Sequence, residues 1–220
     1  MHTKERSAET SGRTLDYAAP VYDLLEPLLL LGRQSEYDRD IVDLLRPRPW
    51  ERILDVGCGT GVLTRMIGDR LDPEAGGGAA GIDAAARMIR IAARKRQTAA
   101  TRFHTAAAER LPFEDGSFDA AVSSLFFHHV DLRLKREALA EAFRVLRPGG
   151  RLVVADMHIP TTAMGWLVSH VARWFFLQPE IGENTRGLLT EAMAAAGFTA
   201  PKVERYYFGY IALFTCRKPG

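Results

Sequence analysis

A run of alternating glycines lies between two short apolar stretches and has an acidic residue on each side. The first stretch ends in Asp55-Val56-Gly57-Cys58-Gly59-Thr60-Gly61, and the second ends at Asp83, about 22 residues after the last glycine. Glycines let a turn close tightly and let a ligand approach the backbone, and a carboxylate at this distance can accept both ribose hydroxyls of a nucleoside. The alternative is that the glycines only build a turn and that Asp83 only caps the next helix. Together the two features favour a nucleoside site.

The spacing of the glycines indicates which class of nucleoside ligand the turn could bind. A dinucleotide site requires G-x-G-x-x-G, but position 62 is Val62, so the pattern is G-x-G-x-G. The G-K-[ST] continuation of a phosphate-binding loop is also missing. Asp55 beside the turn would repel a pyrophosphate, whereas it attracts an ammonium or sulfonium group. The sequence therefore predicts a cationic nucleoside.

Two adjacent histidines, His128 and His129, follow the fourth predicted strand at the edge of this site. Imidazole is suited to removing a proton near neutral pH, and we assign His128 as the candidate catalytic base. The alternative is a polar loop whose rings bond to the backbone. The remaining histidines and the two cysteines, Cys58 and Cys216, lack metal-ligand spacing, so we predict no metal site.

The elements that must position these residues alternate between strands and helices. Apolar runs predict strands at 52–56, 78–82, 101–105, 118–124 and 151–156, with helices at 61–71, 84–95 and 134–146 between them and a further helix at 183–196. Such alternation predicts a doubly wound, Rossmann-like α/β fold with a seven-stranded, mostly parallel sheet covered on both faces. The last two strands, at 202–208 and 210–217, should pair antiparallel and add an antiparallel C-terminal edge strand. Ligands bind beyond the carboxyl ends of such strands.

The composition is typical of a single globular domain. The 220 residues are 47% apolar and 25% charged with a formal net charge of +2, which excludes a disordered chain and gives no global field to attract nucleic acid. No apolar run reaches the roughly 18 residues of a membrane span, and the N-terminus has no signal-peptide core. We predict a cytoplasmic monomer or homodimer.

Four segments, in this order, resemble the successive motifs of class I S-adenosylmethionine-dependent methyltransferases. They are ILDVGCGTG (53–61), the acidic end of GID (81–83), ERLPFEDGSFDAAVSS (109–124) and FRVLRPGGRLVVAD (143–156). Their order and spacing are similar to the small-molecule branch that includes the ubiquinone/menaquinone C-methyltransferases, over roughly residues 15–220. The resemblance implies S-adenosyl-L-methionine as cofactor and S-adenosyl-L-homocysteine as product.

The resemblance also implies a role for each motif residue by its position. The methionine part of the cofactor would be held by Asp55, Gly57, Cys58, Gly59 and Gly61, and the ribose by Asp83. The adenine would lie against Ala84 and Met88 with Ala108 as a wall, and the path to the methyl group would be lined by Ser123 and Leu125. Family members often carry D-A-E before L-P-F, whose Asp bonds the adenine amino group, whereas this chain has Ala107-Ala108-Glu109. That contact must be lost or remade by a backbone group.

Two regions outside the motifs are expected to select the acceptor. In similar enzymes the N-terminal helices fold over the cofactor as a lid, and here they carry Tyr17 and Tyr22. Between the fifth and sixth strands, the aromatic segment 164–177 carries Trp166 and Trp174. The segment is interpreted as a pocket wall, a dimer contact or a peripheral membrane contact, and plain core packing is the alternative for every one of these side chains.

The resulting division of the chain is a disordered tail at 1–14 and a single methyltransferase domain at 15–220. The domain comprises a helical lid (15–46), a cofactor-binding core (50–157), a substrate-side insertion (158–187) and a C-terminal helix and hairpin (188–220). The leading hypothesis is methyl transfer to an O, N, S or C acceptor on a small, lipophilic molecule. The alternatives are a non-catalytic cofactor-binding regulator or partner subunit and a protein or nucleic-acid methyltransferase. The near-neutral charge and the absence of an N/D-P-P-Y/F signature after the fourth strand argue against the last of these.

Overall fold

The computed structural model describes residues 7–10, 12, 32–175 and 180–220, except for the side chains of 172–175. The strands are β1 (Arg52–Val56), β2 (Gly78–Asp83), β3 (Thr101–Thr105), β4 (Phe118–Ser124), β5 (Leu146–Met157), β6 (Lys202–Tyr207) and β7 (Ile211–Arg217). The helices are α1 (Gln34–Leu45), α2 (Val62–Gly68), α3 (Ala86–Arg96), α4 (Leu132–Val145), α5 (Ala163–Phe175), α6 (Ile181–Asn184) and α7 (Leu188–Ala195). A 3-10 turn at Phe127–His129 follows β4.

The seven strands form one sheet in the order β3-β2-β1-β4-β5-β7-β6. Strands β1 to β5 are parallel, and β7 runs antiparallel to both β5 and β6. The predicted Rossmann-like fold is confirmed, with the antiparallel hairpin at the edge of the sheet. Within that hairpin β7 lies beside β5, and β6 is the outermost strand. The strand order reverses between β1 and β4, which places the expected ligand crevice at their carboxyl ends.

The sheet is buried on both faces because neighbouring residues of its central strands contribute to two different cores. Leu54 and Val56 belong to one apolar cluster, while Ile53 belongs to the other. Helices α4 and α7 cover the first face, and helices α1 and α2 cover the second. This two-sided burial explains why the central strands read as continuous apolar runs.

The largest difference from the predicted elements is in the C-terminal half. The single helix predicted at 183–196 is wrong, because the chain forms α6 and α7 with a break at Gly187, which has a φ of +85°. Strand β5 also begins earlier than predicted, at Leu146, where it pairs with Phe118 before the Pro148-Gly149-Gly150 segment. Gly187 thus ends a helix that the apolar pattern alone would continue, whereas pairing with β4 extends β5 across residues that are typical of turns.

The described N-terminal residues contact the domain, while the disordered tail expected at 1–14 stays a prediction because most of that range lies outside the described residues. The amide of Ala8 donates to the carbonyl of Ala84 (2.8 Å), and the amide of Ala86 donates to the Ser7 hydroxyl (3.1 Å). The second bond satisfies an amide in the first turn of α3 that the helix itself leaves open. In the predicted helical lid, the structure shows α1, and residues 13–31 lie outside the described set.

Among the described residues, none of the helices has both the length and the apolar character that a membrane crossing requires.

Candidate functional site

The glycine turn joins β1 to α2 and is fastened to the end of β2. The amides of Gly57 and Cys58 both donate to the carbonyl of Ile82 (2.9 Å each), and the amide of Gly59 donates to Oδ2 of Asp83 (3.1 Å). Gly57, Gly59 and Gly61 all have positive φ angles, of 74°, 52° and 84°. Other residue types rarely adopt this conformation, so the three glycines make the turn possible.

Close packing at the turn is a second reason for its glycines. A Cβ atom on Gly57 would stand 2.7 Å from the ring of Phe126. The ring of Phe103 packs in the same way against two other glycines. A Cβ on Gly61 would lie 2.5 Å from this ring, and a Cβ on Gly81 would lie 2.9 Å from it. Two aromatic rings therefore occupy the room that glycine leaves.

A cleft opens beside the turn at the end of β2, and we call it the Asp83 cleft. It is lined by Thr10, Gly12, Gly57, Gly59, Ile82, Asp83, Ala84, Met88, Ala106, Ala108, Glu109, Leu125, Phe126, His129, Val130 and Leu134. Asp83 accepts from the amide of Ala85 through Oδ1 (2.8 Å) as well as from Gly59 through Oδ2. A carboxylate oxygen can accept more than one hydrogen bond, so hydroxyl donors are chemically compatible with this group. Most of the lining side chains are apolar, and a few polar groups, among them Asp83 and Glu109, face the cleft, as in sites for small organic ligands.

A second cleft lies on the other side of the turn and shares Gly57 and Gly59 with the first. This Asp55 cleft is lined by Gln34, Asp38, Asp55, Gly57, Cys58, Gly59, Thr60, Val62, Leu63 and Ser124. Asp55 is almost completely buried, and its Oδ2 accepts from the Thr64 hydroxyl (2.6 Å). Burial raises the pKa of Asp55 to about 7, and the hydrogen bond from Thr64 opposes that shift.

The Asp55 cleft contains several acidic groups whose pKa values are raised. Burial raises the pKa of Asp38 to about 6, although Gln34 donates to its carboxyl group. Burial and the nearby carboxyl groups of Asp55 and Asp83 also raise the pKa of the Cys58 thiol well above its usual value. A cation bound in this cleft would stabilise the ionised carboxylates.

At the end of β4, two neighbouring serines differ in exposure to this cleft. The Ser124 hydroxyl lines the Asp55 cleft and lies 3.0 Å from the hydroxyl of Tyr37 on α1. Ser123, in contrast, is buried, and its hydroxyl donates to the carbonyl of Val56 (2.9 Å). Strand residues alternate between faces, so only one of the two can reach the cleft. Ser124 is thus the serine that lines the cleft, and the role predicted for Ser123 stays a prediction.

The histidine pair sits against a fully buried carboxyl group from β5. Nδ1 of His128 lies 2.8 Å from Oδ1 of Asp156, whose Oδ2 accepts from the amide of Phe127 (2.7 Å). The Oδ1 atom also accepts from the amide of Met157 (2.7 Å) and from Nδ2 of Asn184 (3.3 Å). These bonds hold the ring of His128, whose side chain is 12% exposed.

The second histidine has a different position. His129, and not His128, is among the residues that line the Asp83 cleft, and the two rings lie 3.9 Å apart. Leu125, which begins this loop, has a φ of +51°, a conformation that is unusual for a bulky side chain. The loop therefore places His128 against the carboxyl group of Asp156 and His129 in the lining of the Asp83 cleft.

The structure brings most of the predicted cofactor residues together. Those that line one or both clefts are Asp55, Gly57, Cys58, Gly59, Asp83, Ala84, Met88, Ala108 and Leu125. Gly61 lies at the start of α2 rather than in a cleft wall. Within the described residues, no three His, Cys, Asp or Glu side chains are grouped so as to hold a metal ion.

The predicted acceptor residues are not gathered in the same way. Trp166 on α5 is 55% exposed, and its ring stacks on His170 at 3.9 Å, beside a separate groove that it lines with Arg186. Trp174 lies on the same helix, but its side chain is outside the described set, as are Tyr17 and Tyr22. Their predicted contact with substrate remains a prediction.

The sequence analysis missed several side chains of the two clefts. Thr10, Gln34, Asp38 and Glu109 line them, and Asp156 contacts His128. The acidic end of β5 in VVAD was the available signal for Asp156, because β5 neighbours β4 and its carboxyl end faces the same edge of the sheet.

Comparison with known proteins agrees with this geometry. A methyltransferase domain model matches residues 54–154. A demethylmenaquinone methyltransferase of Thermus thermophilus is 35% identical, over 91% of this chain and 98% of that protein. A ubiquinone/menaquinone biosynthesis C-methyltransferase of Stutzerimonas stutzeri is 30% identical, over 98% of this chain and 91% of its own length.

Among solved structures, a SAM-dependent methyltransferase of Thermotoga maritima superimposes with a TM-score of 0.68. The match has 22% identity and covers 92% of this chain and 97% of that one. At this identity the match supports the fold alone. Fold, motifs and relatives together define an S-adenosylmethionine-dependent methyltransferase that acts on a small molecule. The chain belongs to the family of the demethylmenaquinone and ubiquinone/menaquinone C-methyltransferases.

Proposed function

We propose that S-adenosylmethionine lies across the glycine turn, with its nucleoside in the Asp83 cleft and its methionine part in the Asp55 cleft. The two clefts meet at Gly57 and Gly59, whose lack of side chains leaves the backbone open to a ligand. The carboxylate of Asp83 would accept the ribose hydroxyls, and Ala84 and Met88 would contact the purine. This shared turn is the observation that carries the proposal.

The Asp55 cleft fits the charge of the methionine part. Its buried carboxyl groups, Asp55 and Asp38, suit an ammonium or sulfonium group, because opposite charges attract strongly away from bulk water. The Oε1 atom of Gln34 is buried in the same cleft and has no hydrogen-bond partner among the described residues. An ammonium donor would satisfy it.

The bound cofactor supplies a methyl group on a sulfonium, ready for in-line displacement by a nucleophile. The chain must then align the acceptor, exclude water and accept the proton that the acceptor loses. We assign the proton to His128. Asp156 would accept from Nδ1–H of that ring, so that Nε2 carries the lone pair and can act as base.

For the acceptor we propose the ring carbon of a reduced quinone. The relatives are named for demethylmenaquinone and for ubiquinone/menaquinone biosynthesis, which supports a carbon acceptor on such a ring. The hydroquinone form is the nucleophile, because its hydroxyl groups give electrons to the ring carbon that forms the new C–C bond. The S–CH₃ bond breaks in the same step, and the ring proton then passes to the base.

The test uses cofactor labelled in the methyl group and a short-chain demethylnaphthoquinol kept reduced. We expect label on the ring carbon, and the oxidised quinone should accept no label. His128→Ala should lower kcat about 100-fold with unchanged cofactor affinity. His129→Ala is the matched control, because that side chain lines the Asp83 cleft next to His128, whereas Asp156 contacts the ring of His128. Label on oxygen would overturn the carbon acceptor, and a full loss of activity only in His129→Ala would move the base to His129.

A further inference from the structure

A glutamate on the wall of the Asp83 cleft has one oxygen in use and one free. Oε1 of Glu109 accepts from the hydroxyl of Thr10 (2.6 Å). Oε2 of Glu109 is buried and has no hydrogen-bond partner among the residues that the structure describes. A buried carboxyl oxygen without a donor is costly, and such atoms are rare unless a ligand completes them.

The surroundings of this oxygen indicate the kind of donor. The adjacent walls, formed by Ala106, Ala108 and Met88, are apolar and offer no side-chain donor. Asp83, the other carboxylate of the cleft, lies at the end of β2, where the ribose hydroxyls are proposed to bind. What remains for Glu109 is an N–H donor on a flat group held between apolar walls.

We propose that Glu109 accepts a hydrogen bond from the exocyclic amino group of the cofactor's purine, and that Thr10 positions its carboxyl group for this bond. The inference rests on the proposed placement of the nucleoside in the Asp83 cleft. It assigns the purine amino group to a side chain, whereas the sequence predicted that this contact is lost or remade by a backbone group. The residue therefore selects a 6-amino purine over a 6-oxo purine.

The N-terminal segment is part of this arrangement. Thr10 bonds to Glu109, while Ser7 and Ala8 are bonded near the start of α3. Thr10 and Gly12 both line the Asp83 cleft, so this segment contributes to the cleft wall. Removal of the Thr10 hydroxyl should leave the carboxyl group of Glu109 less well placed.

The experiment measures calorimetric affinity for S-adenosylhomocysteine and for its deaminated counterpart, S-inosylhomocysteine, on the full chain. The wild-type chain should prefer the amino form about 10- to 100-fold, since a hydrogen bond to a charged group is at stake. Glu109→Gln should reduce or reverse this preference, because an amide can donate to the 6-oxo group. Thr10→Val should weaken the amino form about threefold to tenfold.

Glu114→Gln is the matched control, because Glu114 is exposed on the same loop and should keep the wild-type preference. An unchanged preference in Glu109→Gln, with normal affinity for S-adenosylhomocysteine, would overturn the Glu109 assignment alone. Failure of the wild-type chain to bind S-adenosylhomocysteine would instead overturn the nucleoside placement and this assignment with it. Glu109→Ala gives a second reading, with weakened amino-form binding expected.

Discussion

The proposed cofactor side and the proposed acceptor side of the site are built in different ways. On the cofactor side, amides of the glycine turn donate to the end of β2, to the carboxylate of Asp83 and to the carbonyl of Ile82, within one strand–helix–strand unit. On the acceptor side, His128 depends on Asp156 from the next strand and on Asn184 from a helix of the insertion. The first arrangement is local and mostly backbone, whereas the second is assembled from distant side chains. Cofactor binding should therefore respond to changes in one side, and turnover to changes in the other.

The strongest test of this separation is at Asp83. Asp83→Ala removes an acceptor for the ribose and also releases the amides of Gly59 and Ala85. We expect affinity for S-adenosylhomocysteine to fall about 100-fold, as measured by calorimetry. At saturating cofactor, kcat should change by less than about threefold. A fall in kcat as large as the loss of affinity would show that the two sides are not separable.

The converse test is at Asp156. Asp156→Asn should lower kcat about 30-fold while cofactor affinity stays within about twofold, because the ring of His128 loses its orienting carboxylate. A purely structural role would give the same loss in any background. The double variant His128→Ala/Asp156→Asn should therefore be no slower than His128→Ala alone. Multiplicative losses in this cycle would contradict a role through His128.

The smallest expected effect is a pH dependence of cofactor affinity that arises on the cofactor side alone. The pKa of Asp55 is raised to about 7, so below that pH the group must release a proton before it can pair with the cofactor's cation. Affinity for S-adenosylmethionine should rise about eightfold from pH 6 to pH 7.5, with proton release visible in buffers of different ionisation enthalpy. Asp55→Asn should flatten this dependence, and an equally steep profile in that variant would assign the proton elsewhere.

The free energy of unfolding of the cofactor-free protein should fall as the pH rises, in contrast to the cofactor affinity. A raised pKa means that the folded chain keeps a proton that the unfolded chain gives up near pH 4. The stabilising contribution of protonated Asp55 is thus complete below about pH 4 and is lost as the pH rises through about 7. Buried Asp38, whose pKa is raised to about 6, contributes with the same sign.

The comparison of the two sides also explains what the sequence could predict. Gly57, Gly59 and Asp83 are recognisable because a turn and a strand end impose residue types at fixed spacing. Asp156 and Asn184 carry no such local requirement, because the contact of Asp156 with His128 depends on which strands are neighbours, and that of Asn184 with Asp156 on where the insertion packs. The break at Gly187 and the different exposure of Ser123 and Ser124 have the same origin, since helix ends and the direction of strand side chains depend on tertiary packing.

The packing of the Phe103 ring against two glycines restricts which residues can occupy these three positions. Phe103 on β3 is paired in register with Gly81, and its ring also covers Gly61 in the turn. A larger residue at 81 would need a smaller one at 103 and room at Cys58 and Thr64, each 2.8 Å from the added Cβ, although positions 81 and 103 supply no group to the clefts described above. Positions 61, 81 and 103 should therefore covary among homologues, because one aromatic ring packs against both glycines.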